Sequence, residues 1–130
     1  MIALDTNIIT RLLAGDDHAQ ERAVLRLLDE PDASFFISDV TLAEVAWVLS
    51  ATYRFNRADL ASALESLVSR TDLVFEDRVR VRRAVTHLRE GGDFEDLLIL
   101  ARAQAEGCTA LVSFDKALKK RFPHFVVVPK

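Results

Sequence analysis

The chain opens with Met1-Ile2-Ala3-Leu4-Asp5-Thr6-Asn7-Ile8-Ile9. A short apolar run ends on an acid, and the spacing then changes. Ile8, Ile9, Leu12 and Leu13 fall at helical intervals up to Gly15. The spacing predicts a buried strand over residues 1–4, then a helix capped by Asp5 or Thr6 and ended by Gly15. A strand that hands over to a helix through a carboxylate is the start of a βα unit, and the remainder of the chain repeats that grammar.

Working outward, Asp16-Asp17 cap a second helix whose apolar positions Ala19, Ala23, Val24, Leu27 and Leu28 run up to Pro31. Phe35-Phe36-Ile37 reads as the second strand. Ser38 caps a helix from about 39 to 53 that is apolar nearly all round, and it is expected to be buried. Asn56 caps the next helix, with Leu60, Ala61, Leu64, Leu67 and Val68 on one face. Leu73-Val74-Phe75 is the third strand. Asp77 opens a helix carrying Val79, Val81, Val85 and Leu88 that stops at Gly91-Gly92. Another helix runs from about 93 to 106 and is closed by Gly107. Ala110-Leu111-Val112-Ser113 is a strand, Asp115 opens a short helix to about Arg121, and residues 125–128 form a last strand. Short apolar strands separated by helices predict an α/β domain with a largely parallel sheet covered on both faces.

With 130 residues, one domain spanning 1–130 is expected. Half the residues are hydrophobic and 28% are charged, an ordinary composition for a chain that buries its own core. Four Gly and three Pro leave no linker, repeat or low-complexity tract. The one cysteine, Cys108, has no partner for an internal disulfide and reads as a small buried apolar residue of a reducing compartment. The first residues lack the basic stretch and long apolar run of a signal peptide, and no run of roughly 18 apolar residues occurs, so a cytoplasmic protein without membrane spans is expected.

Four acids stand where chemistry is expected. In open parallel sheets, sites form beyond the carboxyl ends of strands. Asp5 and Asp115 fall there. Glu44 lies in Leu42-Ala43-Glu44-Val45-Ala46-Trp47, with no Lys or Arg three or four residues away to pair with it. Asp96 precedes Leu97-Leu98-Ile99-Leu100-Ala101 in the first turn of its helix, and Asp93 lies three residues earlier on the same side. Each alone has a plain explanation as a cap, a dipole partner or a solvated residue. One metal site accounts for all of them together. Hard oxygen donors without His or Cys select Mg²⁺ or Mn²⁺ over Zn²⁺. His18, His87 and His124 show no ligand spacing. The net charge of −3 is compatible with a phosphate-bearing partner, because setting five metal-site carboxylates aside leaves 15 acids against 17 Lys and Arg.

At these residues the sequence resembles the PIN-domain nucleases, and more narrowly the VapC-type toxins of type II toxin–antitoxin systems. The matching stretches are Leu4-Asp5-Thr6-Asn7-Ile8-Ile9, Thr41-Leu42-Ala43-Glu44-Val45, Asp93-Phe94-Glu95-Asp96-Leu97-Leu98-Ile99 and Val112-Ser113-Phe114-Asp115-Lys116. Each is weak alone, but the ordered set covers essentially the whole chain. The resemblance implies an α/β/α sandwich on a mainly parallel sheet of about five strands, and Mg²⁺- or Mn²⁺-dependent cleavage of RNA phosphodiesters by a metal-activated water, leaving 5′-phosphate and 3′-hydroxyl ends. The family's acidic quartet maps onto Asp5, Glu44, Asp96 and Asp115. Thr6, Asn7 and Ser113 match the polar residues that orient these carboxylates. Asp93 matches a variable extra acid; the position before Leu97-Leu98-Ile99 favours Asp96 as the closer ligand. Glu95 is a departure, standing where the family often has Ala.

Substrate grip is expected from Arg11, Arg54, Arg57, the Arg78-Arg80-Arg82-Arg83 cluster, Lys119, Lys120, Arg121 and above all Lys116, which adjoins Asp115. The resemblance implies a homodimer silenced by a VapB-like antitoxin, for which Trp47, Tyr53, Phe55 and Leu60 would line a groove. Competing readings are a PIN nuclease of RNA processing outside toxin–antitoxin systems, and a receiver-like signalling domain. The latter needs an acidic pair after the first strand, a phosphorylated Asp after the third and a Lys near the last, whereas here one Asp follows the first strand, the third leads to Glu76-Asp77 and the late Lys is the terminal Lys130.

Overall fold

In the computed structural model, which describes residues 1–130, strand β2 (Phe35–Ile37) forms the middle of a three-stranded parallel ladder between β1 (Ile2–Ala3) and β3 (Leu73–Phe75). Ile2 pairs with Phe35 and Phe35 with Leu73, and Phe35 and Ile37 are fully buried. A second parallel ladder joins β4 (Leu111–Val112) to β5 (Val126–Val127). Helices α1 (Thr6–Ala14) and α2 (His18–Leu28) connect β1 to β2, and α3 (Asp39–Ala51) and α4 (Arg57–Val68) connect β2 to β3. Helices α5 (Arg78–Arg89) and α6 (Phe94–Ala105) lead to β4, and α7 (Lys116–Arg121) closes the last crossover. Parallel neighbours require such crossovers, and the α/β class with parallel strands follows. No helix is long and apolar enough to cross a membrane.

The helices begin where short polar side chains can replace missing backbone acceptors. Asp5, Asp17, Ser38, Asn56, Asp77, Asp93 and Asp115 occupy the seven N-caps, and each accepts a hydrogen bond from a backbone N–H at the start of its helix. Such a cap contributes about 1 kcal/mol. The inner faces supply the core: Leu42, Val45 and Leu49 from α3, Leu60, Leu64 and Leu67 from α4, Val81 and Leu88 from α5, Leu97 and Leu100 from α6. α3 packs on α1 and α6, and α5 lies between α4 and α6.

Several expectations are corrected. The five strands are present and parallel, but they form hydrogen-bonded ladders of three and two. The outer strands are not covered on both faces: Ile2 is 52% and Val112 63% exposed, and the ladder edges beside β1 and β4 carry no hydrogen-bonded neighbour. α3 is buried on one side only. Its stripe of Val40, Glu44 and Trp47 is open, with Trp47 64% exposed, since a helix that turns a glutamate outward must open the residues one turn above and below it. Cys108 is exposed rather than buried. Its N–H bonds Ala103 O at 3.0 Å and that of Gly107 (φ 85°) bonds Gln104 O at 3.1 Å. This left-handed closure of α6 places Cys108 in a surface turn.

Candidate functional site

Thr6 joins the first two acids. Its N–H donates to Asp5 Oδ1 at 2.7 Å and its hydroxyl to Glu44 Oε2 at 2.9 Å. Thr6 itself is buried. Its carbonyl accepts from the Thr10 hydroxyl at 2.8 Å, so the residue is anchored on both sides. Asp5, Asn7 and Glu44 are exposed around it.

The other acids gather at the starts of α6 and α7. Asp93 caps α6 through Oδ1, which accepts from Asp96 N at 2.9 Å. Asp115 caps α7 through Oδ1, which accepts from Leu118 N at 3.0 Å, and its own N–H donates to Ser113 Oγ at 3.0 Å. A cap engages one carboxylate oxygen and leaves the second, so capping and metal binding are not rivals at these residues. Burial pushes the Asp96 carboxyl above the ordinary range, and the negative charges of Asp93 and Asp115 push it further. Glu95 is raised to about 7, by burial first and then by its hydrogen bond with Asp93.

Asp93, Glu95, Asp96 and Asp115 line one cavity of about 360 Å³, together with Arg57, His87, Gly91, Gly92 and Arg121. Asp5 and Glu44 lie outside its lining. The structure thus holds the candidate acids as two groups, Asp5 with Glu44 and Asp93 with Asp96 and Asp115. No three of the His, Cys, Asp and Glu side chains come close enough together to hold one ion.

The donor chemistry nevertheless suits a hard divalent cation. All candidate atoms are oxygens. None of these acids forms an ion pair, although acids elsewhere are paired with arginine. Arg57 and Arg121 border the same cavity, yet their guanidinium groups bond the backbone carbonyls of Leu88, Gly92 and Glu90. The repulsion that raises Asp96 is left without a protein cation to relieve it.

Among the expected substrate-gripping residues, Lys116 is exposed in the first turn of α7 beside Asp115. Arg80 is not a surface cation. It is buried, with Asp39 at 2.8 Å, Asp77 at 3.4 Å and Glu76 at 3.8 Å. Arg78 bonds the carbonyls of Val68 and Leu73 and lies over the Phe75 ring. Arg11 bonds Asp16 and the Tyr53 hydroxyl. The apolar residues expected to form a partner groove are dispersed: Trp47 stands on the open stripe of α3, while Phe55 and Leu60 face the acidic cavity, past a turn where Arg54 has φ 57°.

Arg57 and Arg121, expected to grip substrate, and His87, which showed no ligand spacing, are walls of this cavity. Burial lowers the His87 pKa, and Arg121 lowers it further. The sequence signal for a close approach at this wall was the pair Gly91-Gly92 directly before Asp93.

The PIN domain family matches the chain over residues 2–121. A curated relative from Aquifex aeolicus (strain VF5), named VapC ribonuclease, is 24% identical over 123 residues, covering 92% of this chain and 91% of the relative. No solved structure matches the chain.

Proposed function

The chain belongs to the PIN domain family, and on that premise we propose that it is a divalent-metal-dependent endoribonuclease, the toxin of a toxin–antitoxin pair, in one domain over residues 1–130. The observation that carries this reading is the set of carboxylates without ion pairs after β1 and β4 and at the start of α6, where Arg57 and Arg121 border Asp93, Asp96 and Asp115 yet bond backbone carbonyls and Glu90.

Asp5, Glu44, Asp96 and Asp115, with Asp93 as an extra acid, would supply the oxygen ligands for Mg²⁺ or Mn²⁺. A bound divalent cation supplies charge neutralisation at the scissile phosphate and acidifies water for attack. The chain's own residues set the geometry. Thr6 holds Glu44 through its hydroxyl and Asp5 through its amide. Ser113 holds the backbone of Asp115. Asn7, exposed beside Asp5, would orient that carboxylate, and Lys116 draws the RNA backbone toward Asp115.

The partner is a VapB-like antitoxin, and the functional unit is a homodimer. Support comes from exposed apolar surface: Val40 and Trp47 on α3 and Ile99 on α6 are 77%, 64% and 57% exposed. Val40, Ala43, Leu98 and Ile99 also line a groove of about 560 Å³ rimmed by Asp39, Glu76, Glu95 and Arg102. Apolar surface of this kind with a charged rim marks a protein interface.

The decisive experiment incubates purified protein with single-stranded RNA in Mg²⁺, Mn²⁺ or EDTA. Cleavage in either metal, abolished by EDTA and by Asp5→Asn, is expected. Undiminished cleavage by Asp5→Asn would remove the assignment. Growth arrest on expression, relieved by Asp5→Asn, tests the toxin role.

A further inference from the structure

We propose that Arg57 and Arg121 are positioning residues. From two different helices they clamp the turn between α5 and α6, and so fix the carboxylates of Asp93 and Asp96. The inference rests on the reading that those two acids belong to the nuclease site.

The end of α5 leaves carbonyls without helical donors. Arg57, the first residue of α4, directs Nη1 at two of them, Leu88 O at 2.8 Å and Gly92 O. Arg121, the last residue of α7, donates from Nη2 to Glu90 O and holds Nη1 3.8 Å from Glu90 Oε2. One planar nitrogen with two hydrogens suits two carbonyls at once, and positive charge is favoured at a helix C-terminus.

The turn between these arginines permits no side chains. Gly91 has φ 101°, a conformation only glycine adopts readily, and a Cβ there would stand 3.2 Å from Arg121 Nη2. At Gly92 a Cβ would stand 2.0 Å from His87 Nε2. The Gly92 N–H bonds His87 O at 2.9 Å, and the buried His87 ring packs against Phe122, with ring centroids 5.6 Å apart. The turn is therefore pinned by a guanidinium on either side and by an imidazole packed against Gly92.

The link to the acids is short. Gly92 O belongs to the same peptide unit as the nitrogen of Asp93. Asp93 then caps α6 by accepting from Asp96 N at 2.9 Å. From Arg57 to Asp96 the path is one peptide and one cap. Arg57 and Arg121 also border the cavity that these acids line. A rotation of the turn would swing Asp93 and the first turn of α6 together. Partners that orient metal-binding carboxylates act in this way.

The test compares wild type with Arg57→Ala, Arg57→Lys and Arg121→Ala by three readouts. These are amide hydrogen exchange in the metal-free protein, Mn²⁺ affinity by calorimetry, and kcat and KM on single-stranded RNA. Arg57→Ala is expected to speed exchange of amides 91–96 by about tenfold or more while β2 and the centre of α3 exchange as in wild type. It is expected to weaken Mn²⁺ binding by about tenfold and lower kcat by a similar factor with little change in KM. Arg121→Ala gives a smaller shift in the same direction, and Arg57→Lys recovers part of the loss. Should Arg57→Ala fail to fold, Arg57→Lys decides by the same three readouts. Unchanged exchange at 91–96, or a defect confined to KM, overturns the proposal, the latter marking Arg57 as an RNA contact. If wild type cleaves no RNA, the nuclease reading fails, while exchange and Mn²⁺ affinity still decide the clamp.

Discussion

The Thr6 hydroxyl donates to Glu44 Oε2 across 2.9 Å, tying the start of α1 to the outward stripe of α3. Thr6→Val keeps the shape and removes the donor. Because Thr6 is buried and Glu44 exposed, the freed carboxylate is solvated and the stability loss should stay near 1 kcal/mol. Cleavage should fall by about tenfold, as when a partner that orients a ligand is lost. Thr6→Ser should retain most activity. Initial rates of RNA cleavage and urea denaturation of both variants check this.

Asp96→Asn should uncouple activity from stability. The carboxyl is raised by burial and by the fields of Asp93 and Asp115, so its charge opposes the metal-free fold. Neutralising it should raise the melting temperature measured in EDTA. Cleavage in Mg²⁺ should fall by more than about 100-fold, beyond the usual effect of an outer partner. The thermal shift that Mg²⁺ gives wild type should shrink as well. A variant both less stable in EDTA and fully active would contradict the role given to Asp96.

Glu95 makes the metal-free protein pH-sensitive. Its carboxyl is raised from an ordinary 4.5 to about 7. A raised folded-state value means that its stabilising contribution is complete below the unfolded value and is lost as pH rises through the folded one. Glu95→Gln keeps a donor toward Asp93 and carries no charge. Relative to wild type, the variant should gain stability between pH 5 and pH 8, by about 1 kcal/mol once solvent screening of this half-exposed group is allowed for. Denaturation midpoints in EDTA at the two pH values measure the difference.

The helix starts were legible because their determinants are local. Asp5, Asp17, Ser38, Asn56, Asp77, Asp93 and Asp115 precede apolar periodicity in the sequence, and each caps a helix in the structure. Strand lengths were less legible, because pairing depends on the neighbour: residues 125–128 read as a strand, yet only Val126–Val127 pair, opposite a two-residue β4. The open stripe of α3 was hidden by composition, since Val40 and Trp47 are as apolar as Leu42 and Leu49. The acids of the candidate site stood out because each sits at a strand end or in apolar company. Arg57 and Arg121 read as substrate grip, and their bonds to backbone carbonyls were hidden, because a guanidinium takes its role from where α4 and α7 place it in space.

Arg80 belongs to stability rather than to substrate grip. Its guanidinium is buried with Asp39 at 2.8 Å, and Glu76 lies 3.8 Å away while accepting from Asp39 N at 2.9 Å. Burial raises the Asp39 carboxyl even beside that guanidinium, and Asp39 Oδ1 has no hydrogen-bond partner. The pair is therefore close to balance while intact and costly once broken. Removing the arginine leaves a half-desolvated acid at the junction of β3, α3 and α5. Arg80→Ala should destabilise by about 3–5 kcal/mol, the range for breaking a buried pair. Arg80→Ala/Asp39→Ala together should recover part of that loss, since no charge is then left buried alone. Urea denaturation of the two variants measures both effects. Arg82→Ala, at a neighbouring exposed position, should leave the denaturation midpoint within about 0.5 kcal/mol of wild type.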